Sequence, residues 1–280
     1  MLAGLTLTVG LTSSLAHGAD VRGRAPVHDT PDQTDQTAHY WEHGEVRPFV
    51  SGQLQVGALN RLIVAGGYGR PHYLWIGAEA QVLTTTDFAA VYSGIRAELL
   101  AANLTVGGRY SHAYARHLAT PQTVYDDASL QDPTQPLTSY ASLDASLWGY
   151  IPAGPTFGYW EVNEVWIPGK DPNLAMFEEL TRFVLEENNA TMFRGGWSLW
   201  LFDQRMFFGP GFDAVVTPGR DPLLRVGGNF AWTFTEHLSL MANFTAPVNS
   251  PDSIDWFTQA WGIARLTYKM ASGEKSPRFP

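Results

Sequence analysis

The sequence predicts an all-β chain, an antiparallel up-and-down transmembrane β-barrel of about twelve strands, on three observations. The first is composition: only 16% of residues are charged while 13% are aromatic and Gly reaches 27, against roughly 25% charged in an ordinary soluble domain. Mean hydropathy is nonetheless -0.13, so apolar residues alternate with polar ones and are not massed. The second is period: segments of 10 to 14 residues alternate apolar and polar with period 2, the pattern of strands with two unlike faces. The third is the nature of the polar faces, which carry Gly, Ser, Thr, Asn and a few Arg and not the Lys and Glu of a soluble sheet. Strands of about 9–11 residues cross a bilayer, and their backbone groups are all paired only in a closed barrel.

Taken in chain order, residues 1–18 read as a secretory signal. Leu2, Leu5, Leu7, Val9, Leu11 and Leu15 form its apolar part, and Ala16-His17-Gly18 places small residues for cleavage after Gly18 or Ala16. No Lys or Arg precedes that run. Residues 19–47 are polar, rich in Asp and Thr, and aperiodic, as in a flexible leader. Within them His39-Tyr40-Trp41-Glu42-His43 matches the H-x-x-E-H pattern of inverted zinc peptidases. That chemistry needs a long helix, and Gly44 and Pro48 leave no room for one.

Residues 48–270 are the barrel. The alternation predicts strands at 48–57, 62–68, 72–84, 88–100, 103–115, 137–150, 156–167, 191–202, 205–217, 223–234, 237–247 and 256–270. In 72–83, Leu74, Ile76, Ala78, Ala80 and Val82 oppose Trp75, Gly77, Glu79 and Gln81. In 103–114, Leu104, Val106, Tyr110 and Tyr114 oppose Thr105, Gly107, Arg109 and Ser111. Aromatics gather near segment ends, at Tyr150, Trp160, Trp166, Phe202, Trp232, Phe234, Trp256 and Tyr268, where interfacial girdles sit. An even count puts both termini on one side, with short turns there and long connections at 116–136 and 168–190 opposite. Reading segment 62–68 as loop leaves ten strands. Residues 171–187 break the rhythm: Leu174, Phe177, Leu180 and Val184 fit a short amphipathic helix in an outer loop, and a strand over 178–187 is the alternative. Residues 271–280 form a C-terminal tail.

On these residues the chain resembles the bacterial outer-membrane β-barrel proteins as a broad class, over roughly residues 47–270. The resemblance implies residence in the outer membrane after export, contact with outer-membrane lipid and lipopolysaccharide, and passage of small solutes. Such barrels usually end their last strand on an aromatic residue; here Tyr268 falls two residues before Met270.

If the apolar faces meet lipid, Glu79, Arg96, Glu98, Arg109, Asp144, Arg194, Arg225 and Arg265 line the interior. Five Arg against three acids form either a charged constriction in a porin-like pore, selecting small solutes by field and size, or an Arg–carboxylate network that merely fills a structural or docking barrel. The acids Asp126, Asp127, Asp132, Asp171, Glu178, Glu179, Glu186 and Glu187 fall in the outer loops, as a solvated surface or as ligands for cations bridging lipopolysaccharide. A lipid hydrolase at the rim is the third class. Its nearest residues are Ser111, His112, His117 and His237, but Ser111 and His112 are strand neighbours and point to opposite faces. No cofactor or metal site is expected; without Cys there are no thiolate ligands. The charge of -9 argues against nucleic-acid binding.

Overall fold

The computed structural model describes residues 45–202 and 204–272. The signal, most of the leader with its His39–His43 pattern, and nearly all of the tail lie outside them.

Twelve strands of the described residues close into one antiparallel barrel. Each pairs with its neighbours in sequence: β1 (Arg47–Gly57), β2 (Asn60–Arg70), β3 (Leu74–Thr84), β4 (Phe88–Glu98), β5 (Ala102–His117), β6 (Leu137–Ala153), β7 (Thr156–Trp166), β10 (Asn189–Leu201), β11 (Met206–Val216), β12 (Leu223–Thr233), β13 (Leu238–Asn249) and β14 (Trp261–Ala271). Between β7 and β10 the chain makes a separate two-stranded ribbon, β8 (Met176–Glu178) and β9 (Phe183–Leu185). β14 closes the ring on β1, with Ser51 opposite Ala271 and Gly57 opposite Arg265. Closure leaves no edge strand, so every ladder group is satisfied without water. Most strands have 11 residues, about 36 Å of chain at the strand rise, and roughly 25 Å in height at the usual tilt. No helix of the described residues is long and apolar enough to cross a membrane; the crossing is made by strands.

The apolar faces point outward. Val50, Leu54, Val64, Ile76, Val82, Ile95, Val106, Leu147, Phe212, Val226 and Leu266 are all exposed, as expected of a lipid-facing belt. Tyr68, Phe202, Trp232 and Phe234 ring its terminal end, while Tyr114, Trp166, Trp256 and Phe257 ring the other. Tyr150 belongs to neither: it sits on the inward face of β6, where its ring meets Phe157 edge-on at 6.4 Å.

The structure changes three of the expected elements. Segment 62–68 is the full 11-residue β2, which decides the count at twelve rather than ten. Its Gly66-Gly67 pair and Arg61 obscured the alternation at its ends. The final strand begins at Trp261, because Trp256–Gln259 forms a single helical turn capped by Asp255. The amphipathic helix expected over 171–187 is absent; β8 and β9 form a hairpin there. The cause is burial on both sides. Met176, Phe183 and Leu185 pack on the inner wall with Tyr140, Val165, Met192, Val215 and Leu223. Phe177 and Val184 pack the other way, against Ala119, Tyr125, Leu130 and Ile254 of the outer loops. A segment apolar on two strand faces has apolar residues at three- and four-residue spacings by coincidence. Arg182, at φ 55, turns the tip and is incompatible with a continuous helix.

Candidate functional site in the barrel interior

The interior is built from the inward half of each strand's alternation. Glycines thin the wall and aromatic rings lie on them. A side chain at Gly107 would stand 2.6 Å from the Tyr92 ring, and one at Gly196 would stand 2.6 Å from the Tyr159 ring. Near the terminal end, Phe157, Trp200 and Phe207 form an inward cluster with centroids 4.6–5.3 Å apart, and Phe49 and Trp75 form a second.

The charged residues expected inside all lie on inward faces, and most are paired. Arg96 bonds Glu79 at 3.2 Å and stands 3.5 Å from Glu98, which also accepts from the Trp75 indole at 2.9 Å. Arg194 bonds Glu161 at 2.8 Å and stacks 3.7 Å over Trp261. Arg109 pairs with Asp144 at 2.5 Å and donates to the Ser111 hydroxyl at 2.8 Å. Arg225 pairs with Asp213, whose other oxygen accepts from Thr245 at 2.7 Å. Arg265 has no carboxylate: it donates to the Gln55 amide oxygen at 3.1 Å. The sequence reading missed Glu161 and Asp213, the partners, and Arg61, an inward cation at the start of β2. Alternation in 156–166 and 206–216 would have found the first two.

At the end of the barrel away from the termini, the hairpin packs between the inner wall and the long loops. Glu178 was expected in a solvated loop; it is instead fully buried, 3.0 Å from Arg109 and accepting from the Tyr140 hydroxyl at 2.7 Å. Burial works against its charge, but Arg109 and these hydrogen bonds hold the carboxyl below its ordinary range. Glu179, expected to be solvated too, is buried against Arg116 at 2.9 Å, and there burial wins, pushing its pKa up to about 7. Both corrections have one cause: the ribbon turns inward, so its tip faces the lumen and not water. Arg225 reaches the tip as well, donating to the Thr181 carbonyl at 3.0 Å and to the Gln259 carbonyl at 2.9 Å. From outside, Arg220 donates to the Val184 carbonyl at 3.2 Å and pairs with Asp252 at 2.5 Å. Among the described residues no ladder joins β8 or β9 to a barrel strand; one backbone bridge, between Ala175 at the ribbon's base and Ala119 just beyond β5, is made by two hydrogen bonds of 2.7 and 2.9 Å.

The remaining loop acids stay apart. Asp126 is exposed and Asp132 partly exposed, their carboxyls held low by hydrogen bonds from Ser129 and Thr134. No group of three or more His, Asp or Glu among the described residues is placed to hold a metal ion. The rim-hydrolase residues do not meet: the Ser111 hydroxyl is taken by Arg109, His112 bonds Ser139 at 2.6 Å, His117 bonds the Gln135 carbonyl at 2.6 Å, and His237 lies at the opposite end.

Closure, an apolar belt and a charged interior together define a transmembrane β-barrel. Its structural neighbours are bacterial outer-membrane barrels. They include the KdgM porin (6% identity, TM-score 0.36, covering 81% of this chain and 99% of that one). The NanC porin (8%, 0.35, 80% and 97%) and the Acinetobacter baumannii outer membrane protein Omp33 (9%, 0.36, 81% and 98%) are two more. No protein-family model and no curated protein matches the chain.

Proposed function

We propose that the protein is exported through its N-terminal signal to the outer membrane and acts there as a gated, porin-like channel for small solutes. The observation that carries this reading is the hairpin's mode of attachment. It packs into the mouth of a polar, glycine-thinned interior, yet β8 and β9 share no ladder with a barrel strand: side-chain ties and one backbone bridge at the ribbon's base, Ala119 with Ala175, hold it, so its tip can leave without opening the barrel. A barrel filled only for stability has no need of a separate stopper. Arg109 and Arg225 then act as ties on the stopper, and the wall below it supplies the solute path.

The purified protein in planar bilayers should show discrete, salt-dependent openings that are rare in the wild type and frequent in Glu178→Gln. Silence of both at high protein loading supports the second reading, a non-conducting structural or docking barrel. That reading draws on the complete burial of Phe177, Val184 and Arg225.

A further inference from the structure

Four of the inward arginines, Arg96, Arg109, Arg194 and Arg225, are matched to carboxylates within the wall or hairpin. Two are not. Arg61 makes no hydrogen bond or ion pair with any described residue, and its Nε–H is buried without an acceptor. Arg265 has Gln55 and the Met241 sulfur as its partners, at 3.1 Å each, and its Nε–H is likewise buried and unmet. The register brings them together. Gln55 of β1 stands opposite Arg61 of β2 and, on its other side, opposite Thr267 of β14, two residues from Arg265. The two arginines are thus two strands apart, roughly 10 Å across the sheet, and within electrostatic reach of each other.

Glu79 and Glu161 also lie within reach of this pair, but each is already hydrogen-bonded to another arginine, Arg96 and Arg194. Lys269, two residues beyond Thr267 on the same face, has no side-chain partner among the described residues. The β14–β1–β2 wall therefore carries a surplus of positive charge that the rest of the interior lacks. Holding two like cations side by side, each with an unmet donor out of water, is costly for a wall built only for stability. A guanidinium presents its Nε–H and one terminal N–H in parallel, and this fork fits two oxygens of a carboxylate or phosphate. Between the forks, Gln55 has committed its oxygen to Arg265, which leaves its NH2 group as a third donor.

We propose that Arg61, Gln55 and Arg265 form a lumenal binding site for small oxyanions bearing a carboxylate or phosphate group. The proposal deepens the channel reading, on which access to the site from the lumen rests. It names the solute class and places recognition on the wall away from the hairpin ties. A dianion satisfies both arginines and is held more tightly than a monoanion.

The full chain, refolded in detergent micelles, is titrated with inorganic phosphate and with succinate at low chloride and followed by calorimetry. One saturable site is expected for at least one of the two, and the tighter of them identifies the preferred group. Arg61→Gln and Arg265→Gln should each weaken it at least tenfold. Arg205→Gln, which removes the same charge from a turn at the terminal end, should leave it unchanged. Each variant is first shown to be folded by its heat-modifiable migration on gels. If Arg61→Gln does not fold, Arg61→Lys keeps the charge but loses the fork, and weakening of several fold is expected. Absence of saturable binding, or equal affinity in the Arg61 variant and the wild type, overturns the site. Binding needs no conduction, so a silent barrel that binds anions refutes the channel and keeps the site. A conducting barrel that binds none does the reverse.

Discussion

The guanidinium of Arg225, fully buried in the wall, donates to the carbonyl oxygen of Thr181 at the hairpin tip at 3.0 Å while its Nε holds Asp213. One side chain thus neutralises a wall carboxylate and fastens the hairpin. Arg225→Ala leaves Asp213 buried and uncompensated, at a cost of about 3–5 kcal/mol. The double variant Arg225→Met/Asp213→Asn removes both charges and should regain most of that stability. The tie to Thr181 is still lost, so the double variant should open far more often than the wild type in planar bilayers. Chemical denaturation in micelles gives the first quantity and single-channel recording the second.

Glu178 and Glu179 give the docked hairpin two opposite pH dependences. With its pKa pushed up to about 7 by burial, Glu179 holds a proton in the docked state that it loses near pH 4.5 when released. Its contribution is fully present below about 4.5 and fades as the pH rises toward 7. Glu178, held below its ordinary range, contributes above that range and fails as the pH falls through its docked value. The stopper should therefore be tightest in mildly acidic solution and looser at pH 8. Protease cleavage within residues 168–190, measured from pH 5 to 8, should increase with pH in the wild type. In Glu179→Gln it should be flat over that range. An identical slope in both would place the titrating group elsewhere.

The barrel was legible because period 2 is a local property: Ile76 and Glu79 are assigned to opposite faces by counting alone. Partnership across the lumen is not local. Nothing near Arg225 in sequence singles out Asp213 from the other acids, and nothing near Glu178 shows that its loop turns inward. The hairpin was misread because Phe177 and Val184 face one layer while Met176 and Leu185 face another, and a chain buried on both sides has no polar face to count from. Arg61 was missed for a smaller reason, lying one residue before the apolar run that marked the strand. Counting alone thus assigns a face to Arg265 and Arg225 alike; that one has a carboxylate partner and the other does not is visible only across the strands.

The glycines under Tyr92 yield a size prediction. A methyl group at Gly107 meets the Ser93 carbonyl oxygen at 2.3 Å and the Tyr92 ring at 2.6 Å, whereas at outward-facing Gly108 the nearest atom is the Ser142 carbonyl oxygen at 3.8 Å. Gly107→Ala must displace both the β4 backbone at Ser93 and the ring, and should lower stability by about 1–3 kcal/mol, the usual cost of overpacking. Gly108→Ala should be close to neutral. Urea midpoints of the two variants in micelles should differ accordingly, and equal midpoints would mean that neither the Ser93 backbone nor the Tyr92 ring closes on this glycine.

The apolar belt is tested at its centre. Val64, half exposed, is the fifth residue of β2 and stands opposite Gly52 and Ala80, midway along both neighbouring strands. If its side chain meets hydrocarbon, Val64→Arg should cost about 2–4 kcal/mol, the depth-dependent penalty at the midplane of a bilayer. The same substitution at Tyr68, four residues nearer the terminal rim, should cost about 0–1 kcal/mol, since the guanidinium there can reach the headgroups. A soluble barrel would show no such gradient, because Arg on a wet face is tolerated equally at either position. Folding into phospholipid vesicles at increasing urea, read by tryptophan fluorescence, resolves the two cases. A penalty at Val64 no larger than at Tyr68 would remove lipid from the outer face.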